Sequence, residues 1–463
     1  MTEDGLQAAI TKMQARGIDP RAINVFAHYW RDLAAGAQGL IPEETIEPLG
    51  EVPALGDFAA TPQQRRDALA RTAVIKLNGG LGTSMGMTGP KSALEVRDGL
   101  TFLDIIARQV LALRAQHDVQ LPLILMNSFR TRSESLAILE KYPDLAVDGL
   151  PLDFLQNAEP KLAADTLAPV DWPADPELEW CPPGHGDIYV ALQGSGLLGA
   201  LRAHGIRYVF LSNADNLGAT CDPDVAAWMF EQSVPYAAEV CPRTANDRKG
   251  GHLARRRSDG RMILRDSAMV ADGEDHHFQD NDRHQYFHTN NLWVDLDVLE
   301  RLLDERDGVL GLPIVVNRKT VDPSDSSSTP VIQIESAMGT AVEAFEGSQA
   351  LLVPRRRFRP VKTTNELLLL RSDVFELDAD SVVNSVITHD EPAIRLDGHY
   401  KLVPDFEARF PAGPPSLREC TGLDVTGDVT FGAGIVCVGD VQVSAEQPTT
   451  IADGTRLSGS VTC

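Results

Sequence analysis

The feature that most constrains this chain is an apolar strand that runs directly into a glycine-rich loop. Residues 73–77 supply the strand, and the loop contains five glycines from Gly79 to Gly89. Because glycine has no side chain, the loop backbone can approach a phosphate or a base edge closely, and its N–H groups can bind an anion. A merely flexible turn does not account for the Thr, Ser and Lys among these glycines. The loop therefore predicts a nucleotide site.

The spacing within this loop excludes two common nucleotide motifs. A Walker A loop requires lysine directly after glycine, whereas Pro90 precedes Lys91 here. The dinucleotide fingerprint G-x-G-x-x-G is also missing, because the glycines fall at Gly80, Gly82 and Gly86. The spacing thus argues against a P-loop NTPase and against a nicotinamide-dependent oxidoreductase.

Strands and helical stretches alternate along the middle of the chain. Short apolar strands are predicted at residues 73–77, 121–126, 208–211 and 236–240. This alternation is typical of a parallel sheet with helices on both faces. Residues 1–70 instead have apolar residues at helical spacing, with a break near Gly17 and Pro20. We predict a helical N-terminal region over 1–70 and a Rossmann-like α/β domain over 71–380.

The C-terminal segment has a period of six. Two apolar series share it, one of Val429, Ile435 and Val441 and one of Phe431, Cys437 and Val443. With interleaved glycines, the period predicts a few coils of a β-helix within residues 381–463. A hexapeptide-repeat acyltransferase would show the same period, but so few coils do not build a full catalytic prism. We expect a packing or oligomerisation domain, through which a homo-oligomer could form.

The composition is globular and acidic. The 463 residues are 43% hydrophobic, and 42 Lys and Arg face 66 Asp and Glu, giving a formal charge of -24. Such a surface repels nucleic acid and anionic membranes, so neither is expected as a partner. Six scattered cysteines without a CxxC pair, an acidic start without a signal core and no apolar run of ~18 residues predict reduced thiols and a cytoplasmic location.

The nucleotide loop, LNGGLGTSMGMTGPKS at residues 77–92, resembles that of the eukaryotic-type UTP-glucose-1-phosphate uridylyltransferases. Further matches in the family's order are LMNSF at 125–129, PPGHGDIY at 182–189, SNADNLGAT at 212–220, KGG at 249–251, TNNLW at 289–293 and VKTT at 361–364. The resemblance implies a nucleotidyltransferase fold of the GT-A-like type. It also implies that UTP and glucose 1-phosphate react, with Mg²⁺, to give UDP-glucose and pyrophosphate.

The resemblance implies two catalytic lysines. Lys362 would stabilise charge on the α-phosphate as pyrophosphate leaves, and Lys91 would bind the β and γ phosphates. The arginines among residues 355–359 either help to hold the triphosphate or form an ordinary surface charge run. The amide of Gln156 suits uracil. The implied UTP-binding residues are Leu77, Asn78, Gly79, Gly80, Lys91, Gln156, Gly184, Asp215 and Lys362.

Asp215 is the predicted magnesium ligand. It follows the apolar strand at residues 208–211, which places its carboxylate at the carboxyl edge of the sheet, where open α/β folds bind ligands. One carboxylate suffices, because Mg²⁺ takes one or two protein carboxylates together with phosphate oxygens of the substrate. The alternative role is a cap on the following turn or helix.

Sugar recognition requires paired donors and acceptors for neighbouring hydroxyls. The resemblance implies that glucose 1-phosphate is bound by His185, Asn213, Gly251, Asn290, Asn291, Glu335 and Gly339. Amides and one carboxylate suit the hydroxyls, and the glycines let the sugar approach the backbone. The alternative is that these are ordinary strand-end turn residues and that His185 is a surface histidine.

Two rival functions remain after this reading. One is a related uridylyltransferase for N-acetylhexosamine phosphates, although the close glycines leave little room for an acetamide. The other is a non-catalytic sensor of nucleotide sugars on the same fold, which the retention of Lys91, Asp215 and Lys362 disfavours. The sequence also departs from the family at residue 214, where alanine replaces a larger aliphatic residue, and in the order of residues 243–249.

Overall fold

The computed structural model describes residues 3–244, 247 and 250–462. Lys249 of the predicted KGG motif and Cys463 lie outside the described residues. The helices are α1 (Glu3–Ala15), α2 (Pro20–Ala34), α3 (Pro62–Leu69), α4 (Phe102–His117), α5 (Arg132–Leu139), α6 (Ile188–Gly194), α7 (Leu197–Ala203), α8 (Pro223–Gln232), α9 (Asp275–Phe278), α10 (Leu296–Glu305), α11 (Thr364–Arg371) and α12 (Val403–Arg409).

The strands fall into one large sheet and several small ones. In chain order they are β1 (Ile46–Pro48), β2 (Thr72–Asn78), β3 (Glu95–Arg97), β4 (Leu100–Thr101), β5 (Leu123–Asn127), β6 (Asp153–Leu155), β7 (Glu159–Pro160), β8 (Leu162–Ala163), β9 (Trp180–Cys181), β10 (Tyr208–Asn213), β11 (Tyr236–Pro242), β12 (Gly251–Arg256), β13 (Met262–Asp266), β14 (Tyr286–Asp295), β15 (Ile314–Thr320), β16 (Pro330–Ser336), β17 (Gln349–Leu352), β18 (Phe375–Leu377), β19 (Val383–Ser385), β20 (Ala393–Leu396), β21 (Ser416–Thr426), β22 (Val429–Phe431), β23 (Val436–Ser444), β24 (Thr449–Ile451) and β25 (Arg456–Thr462).

The N-terminal helices form where the apolar spacing predicts them. Asp19 accepts a hydrogen bond from the Arg21 N–H at 2.8 Å, and Pro20 occupies the first turn of α2, so the break between α1 and α2 has a defined cap. The apolar stripe of α2, which includes Phe26 and Trp30, packs into the core. Among the described residues, no helix is long and apolar enough to cross a membrane.

The central sheet is mixed, with a parallel middle. Its path is β1-β12-β14-β10-β2-β5-β6, in which β10, β2, β5 and β6 run parallel and β14 runs antiparallel to β10. The alternation of strands and helices predicted the parallel part correctly. It did not predict the antiparallel part, where β12 and β13 are joined by residues 257–261, a connection too short for a parallel crossover.

Two hydrophobic cores cover the two faces of this sheet. In β2 the side chain of Val74 packs in one core, and those of Ala73 and Ile75 pack in the other, as the period of two in a strand requires. The paired registers Asn213 with Leu77 and Asn78 with Asn127 show that β10, β2 and β5 end at nearly the same level. This common edge positions the candidate site.

The C-terminal residues form two small parallel sheets that extend the first core. The order β20-β21-β23-β25 makes one, and β22 pairs with β24 in the other. The residues of the six-residue period are buried, including Phe431 and Cys437 at 0% exposure. Gly427, with φ 96°, turns the chain between β21 and β22.

Replacing Gly427 by alanine tests the stacking of these strands. A Cβ at this position would collide with the carbonyl oxygen of Ala445, in addition to the cost of a positive φ. We expect Gly427→Ala to lower the free energy of unfolding by about 1–2 kcal/mol for the backbone and by roughly 1–3 kcal/mol more for the collision. Hydrogen–deuterium exchange of peptides from residues 416–462, with the melting temperature, measures the loss.

Gly454→Ala is the matched control. Gly454 also has a positive φ, 70°, but a Cβ there would meet no described heavy atom within 4 Å. Only the backbone cost is expected, so equal losses for the two variants would contradict this account of the packing.

Candidate functional site

The candidate site lies where the parallel strands β10, β2 and β5 end. The chain leaves β2 at Asn78 and enters the glycine-rich loop, in which Gly82 and Gly86 have φ values of 44° and 75°. Residues with positive φ let the loop fold back tightly, and the Lys91 N–H then donates to the Gly80 carbonyl at 3.1 Å. The loop thus returns Lys91 to the sheet edge beside the end of β10.

One carboxylate and two lysines meet at this edge. Asp215 Oδ2 lies 2.9 Å from Lys91 Nζ and 3.2 Å from Lys362 Nζ. Lys91 Nζ also donates to the Val361 carbonyl, and the Val361 N–H donates to the Asp215 carbonyl at 3.0 Å. Three predicted site residues that are far apart in sequence, Lys91, Asp215 and Lys362, therefore meet at one carboxylate oxygen.

The electrostatics of Asp215 follow from this contact. Burial alone would raise the pKa of its carboxyl, but Lys362 and Lys91 outweigh burial and hold that pKa below its usual value. Its other oxygen, Oδ1, is buried and has no hydrogen-bond partner among the described residues. A buried carboxylate oxygen without a donor is costly, so Oδ1 is suited to a ligand that supplies positive charge.

Gly79 and Gln156, two of the residues predicted to bind the base, lie close together. A Cβ at Gly79 would approach Gln156 Oε1 to 2.7 Å, so only glycine permits this approach of loop and amide. Asn78 has a different environment, because its Nδ2 donates to Asn127 Oδ1 at 2.8 Å and to Ser135 Oγ at 2.7 Å. The Asn78 amide nitrogen therefore fixes the strand ends beneath the loop.

A second group of predicted residues surrounds His185. The Met338 N–H donates to His185 Nδ1 at 2.9 Å, which leaves Nε2 to carry the proton of the neutral ring. His185 is exposed at its surface. The protein packed around its imidazole, and then the positive charge of Lys362, lower the pKa of His185 to about 4, so the ring is neutral near pH 7. Gly184 lies next to it, and a Cβ there would stand 3.0 Å from Glu335 Cβ.

The remaining predicted sugar residues are only partly brought together. Asn290 Nδ2 donates to Asn213 Oδ1 at 3.1 Å, and Asn290 has a φ of 60°, so a strained residue directs this amide. A Cβ at Gly251 would meet Leu264 and the Arg265 carbonyl, which lie on β13. The close packing of β12 on β13 therefore already requires glycine at position 251.

The arginine-rich stretch is largely paired with carboxylates. The pairs are Arg355 with Asp247 at 2.7 Å, Arg357 with Glu239 at 2.6 Å and Arg359 with Glu391 at 3.1 Å. Arg355 and Arg357 thus bind buried carboxylates, a role that neither alternative from the sequence included, whereas Arg359 pairs with a carboxylate that is 41% exposed. Arg356 is exposed.

Glu239 is the centre of a buried network that the sequence did not reveal. Its carboxylate accepts from Arg357 Nε at 2.8 Å, from Trp293 Nε1 at 3.0 Å and from Asn291 Nδ2 at 3.0 Å. Asn291 Nδ2 and Asn216 Nδ2 also donate to the Arg357 carbonyl, each at 3.2 Å. The Asn291 amide nitrogen is thus already bound within the framework, and its role as a sugar ligand stays a prediction.

His288 is a further residue that the sequence reasoning missed. Its Nε2 is buried without a partner among the described residues, and a Cβ at Gly339 would approach this atom to 3.1 Å. Burial and then His185 lower the pKa of His288 to about 3, so its ring is neutral. The sequence does contain a signal for this residue. His288 lies two residues before Asn290 on β14, and residues two apart in a strand share one face of the sheet.

The fold and this site together define a class of protein. A glycine-rich loop at the carboxyl edge of parallel strands suits a nucleotide, and paired lysines around one carboxylate suit a reaction at phosphate. The chain is therefore an α/β enzyme of the nucleotidyltransferase class.

Comparison with known proteins identifies one family within this class. The family described as UTP–glucose-1-phosphate uridylyltransferase matches residues 24–437. Enzymes of that name from Solanum tuberosum and Hordeum vulgare are 39% and 37% identical, over 88% and 96% of this chain and 82% and 92% of theirs. The chain belongs to the UTP–glucose-1-phosphate uridylyltransferase family.

Solved structures agree with this assignment. A mutant UDP-glucose pyrophosphorylase from Leishmania major, crystallised in complex with UDP-glucose, has a TM-score of 0.94 at 40% identity, with 100% of both chains covered. A UDP-glucose phosphorylase from Trypanosoma brucei has a TM-score of 0.91 at 42% identity, over 99% of this chain and 100% of that one.

Removing the Glu239 carboxylate tests the buried network. Glu239→Ala removes the nearer counter-charge of the buried Arg357 guanidinium and leaves only Asp222, at 3.5 Å, so we expect the free energy of unfolding to fall by about 3–5 kcal/mol. Glu391→Ala is the control, because Glu391 is 41% exposed and pairs with Arg359 near the surface. There a loss of at most about 1 kcal/mol is expected. Urea titration measures the free energy of unfolding of both variants. Similar decreases for the two would contradict the larger role assigned to Glu239.

Proposed function

We propose that this protein transfers the uridylyl group of UTP to glucose 1-phosphate, giving UDP-glucose and pyrophosphate. The observation that carries the proposal is the contact of Asp215 with both Lys91 and Lys362 at the edge of the glycine-rich loop. The family to which the chain belongs supports the choice of substrates. A reaction between two anions requires concentrated positive charge, which an acidic chain must supply locally.

The chemistry is an in-line displacement at the α-phosphorus of UTP. A phosphate oxygen of glucose 1-phosphate forms the new P–O bond, and the bond to the bridging oxygen of pyrophosphate breaks. Lys362 stabilises charge on the α-phosphate, and Lys91 binds the leaving phosphates, because fixed ammonium groups act where negative charge accumulates. The protein needs no nucleophile of its own.

The residues present fit a magnesium ion at Asp215. Its buried Oδ1 has no donor, and its pKa is held low, so the carboxylate is available as a hard oxygen ligand. Among the described residues, no group of three or more His, Cys, Asp or Glu could hold a metal ion without further ligands. We propose that one carboxylate shares the ion with the substrate phosphates. When bound, Mg²⁺ would neutralise phosphate charge at the reacting centre.

The nucleotide would lie along the glycine-rich loop. The backbone of Leu77, Gly79, Gly80 and Gly184 would approach the base and phosphates, and the Gln156 amide would pair with the uracil edge. Asn78 supports this loop from below through its bonds to β5 and α5. The contact of Gly79 with Gln156 supports a base pocket at this point.

The sugar phosphate would lie between the His185 and Asn290 groups. His185 offers Nε2–H to the phosphate, and Asn213 and Asn290 offer amide groups to the hydroxyls. Further contacts in the proposal come from Glu335, Gly251, Gly339 and Asn291. His288 joins this set, because its buried Nε2 lies beside Gly339. The neutral rings and amides suit hydroxyl groups.

The finer architecture is also part of the proposal. We infer a GT-A-like catalytic domain over residues 71–380, a helical region over 1–70 and a small β-helix within 381–463. Two parallel strand sets with buried six-residue spacing support the β-helix. A homo-oligomer through this last domain and a cytoplasmic location stay predictions from the sequence.

Pyrophosphate release by the purified protein tests the function. With UTP and Mg²⁺, glucose 1-phosphate is expected to support release at least about tenfold faster than N-acetylglucosamine 1-phosphate, because in the proposed site the sugar lies against glycines and an acetamide is bulkier than the hydroxyl that it replaces. A coupled assay for pyrophosphate gives the rates. Preference for the acetylated sugar would favour the hexosamine enzyme, and tight UDP-glucose binding without turnover would favour the sensor.

Lys362→Met tests the catalytic lysine. We expect kcat to fall by about 100-fold or more, because a charge aimed at the transition state is lost. Lys141→Met is a close control: Lys141 lies 3.2 Å from Asp104 and is 57% exposed, whereas Lys362 lies 3.2 Å from Asp215 and is 56% exposed. The control should retain kcat within about twofold, since Lys141 has no place in the proposed site and the buried Asp104 is also held by Thr101 and Tyr142. Wild-type kcat in Lys362→Met would exclude the assigned role.

A further inference from the structure

A lysine is buried in the middle of the central sheet. Lys76 lies on β2 between parallel neighbours β10 and β5, and only 2% of its surface is exposed. An aliphatic residue would pack there without the cost of desolvating an ammonium group. A lysine at such a position indicates that its hydrogen bonds have a specific role.

The two partners of Lys76 mark both ends of one segment. Nζ donates to Ser212 Oγ at 2.8 Å and to the Ala219 carbonyl at 2.6 Å. Between these acceptors the chain leaves β10, passes through Asp215 and turns back. The ammonium group therefore closes the base of the loop that carries the candidate carboxylate.

The sheet itself does not need this closure. Lys76 and Ser212 are already partners in the parallel ladder of β2 and β10, which extends to Asn213 opposite Leu77. The bond to Ala219 reaches beyond the ladder into the returning part of the loop. Its geometric effect falls on residues 213–218 and hence on the position of Asp215.

We propose that Lys76 is a positioning residue for uridylyl transfer: by tying Ser212 to Ala219 it holds Asp215 at the distance from Lys91 and Lys362 that the reaction uses. The inference rests on the proposed function of that carboxylate. It assigns no contact between Lys76 and a substrate. A displacement of the reacting groups by about 1 Å can lower turnover by about 100-fold, so a distant tie of this kind is sufficient to control rate.

Burial also changes the charge state of Lys76. Burial lowers its pKa to about 7, with Cys221, Glu239 and Asp215 acting to raise it and Arg357 to lower it further. The unfolded chain holds its proton up to the usual value of 10.5, so the folded protein gains stability as pH rises from about 7 to that value. At neutral pH, burying the Lys76 ammonium group therefore lowers the free energy of unfolding.

The test compares three variants of the full chain. Lys76→Met retains length and apolar packing and loses both hydrogen bonds, Ser212→Ala removes one acceptor, and Lys161→Met is the control. Lys161 is also buried, at 4% exposure, and donates to the Val321 carbonyl at 2.8 Å outside the site. Steady-state kinetics, melting temperature and the binding of Mn²⁺ to the protein with UTP, followed by electron paramagnetic resonance, are measured for each.

We expect Lys76→Met to lower kcat by about 30- to 100-fold with KM for both substrates within about threefold, and to weaken Mn²⁺ binding by about tenfold. Ser212→Ala should lower kcat by about threefold to tenfold. Lys161→Met should lower the melting temperature and leave kcat within about twofold. Wild-type kcat and Mn²⁺ binding in folded Lys76→Met would overturn the proposal.

Each failure has a distinct signature. If Lys76→Met does not fold, Ser212→Ala decides, and wild-type kcat in that variant would overturn the proposal. If the wild-type protein itself makes no UDP-glucose, the proposed function fails. The Mn²⁺ titration of Lys76→Met would still report whether Lys76 positions Asp215.

Discussion

The structure of the candidate site depends on one shared carboxylate. Asp215 Oδ2 is held by Lys91 and Lys362, which come from the glycine-rich loop and from the segment before α11. Without Asp215, two ammonium groups would face each other across a narrow gap, and their repulsion would open it. Without the lysines, burial alone would raise the pKa of the Asp215 carboxyl and make its charged form less favourable. Each charge therefore keeps the others in their functional state.

A rigid support lies directly beneath this contact. Lys76 ties the loop of Asp215 at its base, and Glu239 binds Arg357 and Trp293 in the layer next to it. Such buried charges rarely stabilise a protein more than apolar residues of the same volume. Their value here is in fixing direction and distance, because hydrogen bonds have defined geometry and apolar contacts do not. The site is thus held by polar groups that a core designed for stability alone would omit.

The sequence predicted the parallel part of the central sheet correctly, and the features that it did not predict have physical causes. Strand positions and the Lys91, Asp215 and Lys362 group followed from local pattern and motif, since parallel strands deliver their carboxyl ends to one edge. The antiparallel β14 was not foreseen, because strand direction depends on how distant segments connect. For Arg357 the sequence left phosphate binding and a surface charge run open, since sequence spacing does not show which carboxylate a guanidinium will reach.

The sequence by itself determined which residues can do the chemistry: a strand, a glycine-rich loop and side chains with the charge that phosphate transfer needs. These properties are local, because backbone freedom and side-chain charge belong to single residues and near neighbours. Only the tertiary structure decided which of them meet at the candidate site and which support it from beneath. It used the Asn78 and Asn291 amides as framework and brought His288 beside Gly339. Burial and partner choice depend on segments far apart in the chain, and they exist only once the sheet has formed.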